Sequence, residues 1–74
     1  MNWADRRAAA ERDHTERLAA VADGERADLR LAGIAGASWA AGLAALMAGD
    51  EGAAERLLHR AADEYVTSWR AAPP

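Results

Sequence analysis

The sequence predicts an all-α fold of three helices, in which the second and third form an antiparallel α-hairpin preceded by an N-terminal helix. Three observations carry that expectation. Apolar residues recur at spacings of three and four in three successive windows, glycine and aspartate punctuate the joints, and no stretch alternates with the period of two that a half-buried strand needs. At 74 residues the chain has room for one small domain, spanning 1–74.

The N-terminal helix is expected over about residues 2–23. Asn2 can cap it, with Asp5 three residues on as an imperfect capping box, and neither Pro nor Gly interrupts the chain before Asp23-Gly24. Gly24 reads as the left-handed stop. The apolar stripe is thin, consisting of Trp3, Ala10, His14, Leu18 and Val21, so this helix needs a partner surface. His14 lies on that stripe and reads as a histidine hydrogen-bonded at the core boundary, not as a catalytic base.

A helix-turn-helix unit is expected over about 25–70, with its turn at 49–52. The second helix should begin near Glu25 and end at Gly49, because Gly49-Asp50-Glu51-Gly52 joins a C-terminal glycine to a capping aspartate for the next helix. Leu29, Gly33, Gly36, Ala40, Leu43 and Met47 recur every three to four residues and read as its packing face. Glycine inside a helix costs roughly 0.5–1 kcal/mol relative to Ala, which is tolerable where a neighbouring backbone must come close.

Leu31 to Gly49 is a run of 19 residues without a charge, long enough for a bilayer span to be weighed. Only Leu31, Ile34, Trp39, Leu43, Leu46 and Met47 are large in that run; eight Ala, four Gly and one Ser make up the rest and contribute little transfer free energy. The flanks set no orientation, since Arg26 and Arg30 share their end with Glu25 and Asp28. Gly33 with Ala37, and Gly36 with Ala40, have the small-xxx-small spacing that serves membrane and soluble helix pairs alike. The expectation is a helix packed against protein, not lipid.

The third helix carries the fullest pattern. Ala54, Leu57, Leu58, Ala61, Ala62, Tyr65, Val66 and Trp69 fall on one stripe, with Glu55, Arg56, Arg60, Asp63 and Glu64 off it. Pro73-Pro74 ends the helix. Trp39 and Trp69 lie about ten and about 19 residues from the turn, an offset near 13 Å at 1.5 Å rise per residue, so each is expected to pack singly.

Composition bounds the core. The chain is 51% apolar, but 22 of those residues are Ala, which leaves 16 larger side chains. A core of this size rarely yields more than ~3–5 kcal/mol. The absence of Cys removes disulfides and Cys-based zinc sites as supports. Close backbone approach and association with another chain remain.

Charge and motif content exclude several functions. Nine Arg and no Lys against twelve acids give a net charge of −3, and acids interleave with Arg6, Arg7, Arg12 and Arg17, so nucleic acid is not expected as a partner. The N-terminus lacks the basic-then-apolar layout of a secretory signal, and a cytoplasmic address is the default expectation. No G-x-S-x-G, Walker-type loop, dinucleotide fingerprint or H-E-x-x-H is present. Glu55, His59 and Asp63 share one helix face, but three ligands on one straight helix converge poorly on a metal. Catalytic residues, cofactors and metals are therefore expected to be absent.

The hairpin resembles one unit of the tetratricopeptide repeat class. Gly42, Ala54, Leu58 and Ala61 match the family's small, small, large, small positions in a single register, while Ser38, Ala41, Ala45 and Val66 stand where it places Trp, Leu, an aromatic and Pro. Ala48-Gly49-Asp50 and Trp69 to Pro74 are similar in outline to helical-repeat proteins of halophilic archaea. The resemblance covers about 35–68 and implies small residues where two helices cross and a large one filling the gap to the next unit.

The expected packing set is Gly33, Gly36, Ala40, Gly42, Leu43, Met47, Ala54, Leu57, Leu58, Ala61 and Tyr65, with Trp3, Leu18 and Trp69 as candidate partner contacts. The function expected is a non-enzymatic helical interaction or assembly module that pairs with itself or another helical chain. An N-terminal capping segment of a longer repeat protein is the alternative, followed by a small ligand sensor and a membrane-associated helix pair.

Overall fold

The computed structural model describes residues 2–20 and 26–73. Among them are three helices and no strand: α1 (Trp3–Ala20), α2 (Ala27–Met47) and α3 (Glu51–Ala71). The chain is all-α. The expected stop of the first helix at Asp23-Gly24, Val21 on its stripe and the expected start of the second at Glu25 lie outside the described residues.

The helix ends follow the sequence signals closely. Asn2 Oδ1 accepts from the Asp5 amide at 2.8 Å and caps α1. At the end of α2, Gly49 takes φ 84, its amide donates to Leu46 O at 3.0 Å and the Asp50 amide donates to Ala45 O at 2.9 Å. That is a Schellman closure, which needs a residue free to turn left-handed. Asp50 Oδ1 then accepts from the Ala53 amide at 3.1 Å, so α3 opens at once and must run back along α2. Ala72 is extended ahead of Pro73, which ends α3.

α1 and α3 both pack on α2 and do not approach one another backbone to backbone. The result is a flat layer of 40 × 19 × 13 Å with α2 in the middle. Its interior is made of small residues. Of the ten buried apolar residues among those described, only Ile34 and Leu57 are larger than Ala; the others are Ala35, Ala37, Ala41, Ala44, Ala45, Ala53, Ala54 and Ala61. The helices close on backbone. A Cβ added at Gly42 would stand 2.7 Å from Leu58 Cδ2 and 3.3 Å from the Leu58 backbone nitrogen. Gly42 thus lets α2 and α3 meet, and Ala54, Leu57 and Ala61 are buried as expected, with Leu58 and Tyr65 half-buried.

The packing face expected for α2 is corrected. Leu29 is 59% exposed, Leu43 40% and Met47 59%, Ala40 is also exposed, and Gly33 and Gly36 are half-covered. The buried face runs instead through Ile34, Ala37, Ser38, Ala41, Ala44 and Ala45. In a helix without charges along most of its length, both faces fit a helical period. Close approach then selects the face with the smallest side chains rather than the one with the largest.

On α3 the expected stripe holds for three turns and then departs. Ser68 turns inward with its hydroxyl on Tyr65 O at 2.7 Å, whereas Ala62, Val66 and Trp69 face outward. The expectation that each tryptophan packs singly does not hold either. Trp69 is 73% exposed, Trp39 47% and Trp3 37%, the last lying under the Arg6 guanidinium at 4.6 Å.

Candidate functional site

Two features stand out on this layer, a polar cluster inside it and an apolar face outside it. The cluster joins all three helices. Glu64 of α3 places Oε2 2.7 Å from His14 Nε2 of α1, and its Oε1 accepts the Ser38 hydroxyl of α2. Arg60 Nε donates to Ser38 Oγ at 2.8 Å and lies 3.9 Å from Glu64 Oε1.

The chemistry open to this cluster is narrow. Ser38 is fully buried and His14 is 9% exposed. A serine nucleophile needs a substrate at its hydroxyl and a base touching it, and here the carboxylate stands between hydroxyl and imidazole. The cluster ties α1 to the hairpin through His14, Ser38 and Glu64, which are hydrogen-bonded to one another, while Arg60 Nη2 is buried without a partner among the described residues. Sequence reading placed His14 correctly at the core boundary but left Ser38, Arg60 and Glu64 out. The available signal was Ser38 itself, the one side chain in the uncharged run with a hydrogen-bonding group, apart from the indole of Trp39.

The apolar face belongs to α2. Leu29, Trp39, Leu43, Leu46 and Met47 are 40–59% exposed, and with Ala40 and the half-covered Gly33 and Gly36 they form one strip along the helix. Together the five large side chains leave on the order of 500 Å² open, near the upper end of the largest patch found on an ordinary monomer. Polar groups rim it. Arg17 Nη1 lies 2.7 Å from the place of a Gly33 Cβ, and the Tyr65 hydroxyl lies 3.8 Å from that of Gly36. α2 is also long and apolar enough to cross a membrane, with 44% of its most apolar window buried in the fold.

The remaining candidates are scattered. Trp3, Leu18 and Trp69 are exposed, Leu18 at 50%, but they sit on α1 and α3 and do not extend the strip as a set. Glu55, His59 and Asp63 are exposed along α3, and no group of three metal-type ligands comes together among the described residues. A depression lined by Ala8, Glu11, Arg12, Thr15 and Glu16 is formed by side chains of α1 alone and is not a chamber between helices. Compared with protein-family models, curated proteins and solved structures, the chain matches none.

Proposed function

We propose that this protein is a non-enzymatic helical interaction or assembly module that self-associates, with the outer face of α2 as its docking surface. One observation carries the reading. α2 keeps Ile34 and otherwise only Ala, Gly and Ser inside, and displays Leu29, Trp39, Leu43, Leu46 and Met47. Water penalises that arrangement by roughly 25 cal/mol for each Å² of apolar surface left open, so covering the strip is a ready source of association free energy. The small core of the single chain supplies little stability to spare, and association adds to it.

The test is the mass of the species in solution. Sedimentation equilibrium at micromolar concentration is expected to give more than the 7.8 kDa of one chain. Leu43→Glu with Leu46→Glu should return it to one chain while keeping the helical circular dichroism. A single-chain mass at all concentrations, with a melting temperature independent of concentration, would remove self-association from the reading.

A further inference from the structure

We draw no further inference here: the strongest candidate, the exposed apolar strip of Leu29, Trp39, Leu43, Leu46 and Met47 along α2, is the docking surface already proposed, and nothing among the described residues shows what covers it.

Discussion

Both neighbours of α2 pack closely on it, but the two attachments differ in how much polar side chains reinforce them. On the α3 side the backbones touch: Gly42 meets Leu58, and Ala41, Ala45, Ala53, Ala54 and Leu57 form one apolar cluster. On the α1 side the backbones also lie close, but only Ala10 packs partly against that cluster, and polar side chains add ties to α2, α3 and the turn between them. His14 reaches Glu64, Arg30 Nη1 donates to Ala20 O at 2.7 Å, and Arg7 Nη1 reaches Asp50 Oδ2 at 3.3 Å. An alanine-rich chain can thus hold a helix by apolar closure alone or by closure reinforced with long polar side chains. The first way depends on volume and the second also on hydrogen bonds.

The hairpin side breaks first through volume. Leu57 is 7% exposed and is the only residue larger than Ala in its cluster. Leu57→Ala is expected to cost about 3 kcal/mol, most of what a core of this size holds. Urea denaturation of the variant, beginning from a partly unfolded baseline, checks it. Leu43→Ala, on the outer strip, should cost the single chain under about 1 kcal/mol. Equal losses at the two sites would mean that the strip is covered within the chain.

The α1 side breaks through Glu64. Removing this carboxylate leaves the buried Ser38 hydroxyl without its acceptor and His14 without its partner, at a cost of about 2 kcal/mol. Glu64→Ala is expected to free α1 ahead of the hairpin. Hydrogen exchange reads the difference, with amides of α1 losing protection while those around Ala45 and Ala54 keep theirs. A uniform loss over all three helices would show that both attachments form one cooperative unit.

Glycines sharpen the contrast at about 1 kcal/mol. Gly42→Ala gains helix propensity but drives a methyl into Leu58, side chain and backbone, for a net loss of about 1–2 kcal/mol. Gly36→Ala meets only the Tyr65 hydroxyl at 3.8 Å and should gain about 0.5–1 kcal/mol. Thermal melts of the two variants are expected to move in opposite directions, and movement in the same direction would deny that Gly42 marks the closest approach.

These contrasts show where the sequence was legible. Asn2, Gly49, Asp50 and Pro73 act within a few residues of themselves, so each cap and stop could be read locally. The inward face of α2 could not, because Leu29, Leu43 and Met47 and the Ala37, Ala41 and Ala44 set both satisfy a helical period. What separates them is how near α3 comes, a property of two helices together. Glu64 escaped for a related reason. It stands off the apolar stripe of α3, and its value lies in Ser38 and His14, 26 and 50 residues away. A binding face made of the residues a core would normally claim is legible only once the core is seen to close without them.

The smallest expected effect lies at the first turn of α2, beside the polar attachment of α1. Arg26 takes φ 63, unusual for a side-chain-bearing residue, and no side chain caps this helix start. Its guanidinium donates to both Asp28 carboxylate oxygens at 3.1 and 3.0 Å. The hydrogen bond from Arg26 holds the Asp28 carboxyl below the usual aspartate range. A carboxyl depressed on folding contributes stability above its unfolded value and loses that contribution as pH falls through the folded one. Stability from this pair should therefore be constant at neutral pH and fade on the acid side, below the ordinary aspartate range. Asp28→Asn is expected to shift melting temperature slightly at neutral pH, less so in high salt, and to shallow the acid limb of the profile. Acid limbs that superimpose, with and without Asp28, would mean that Arg26 is held in its left-handed turn by its backbone carbonyl alone, which accepts from the Leu29 and Arg30 amides at 3.1 and 3.2 Å.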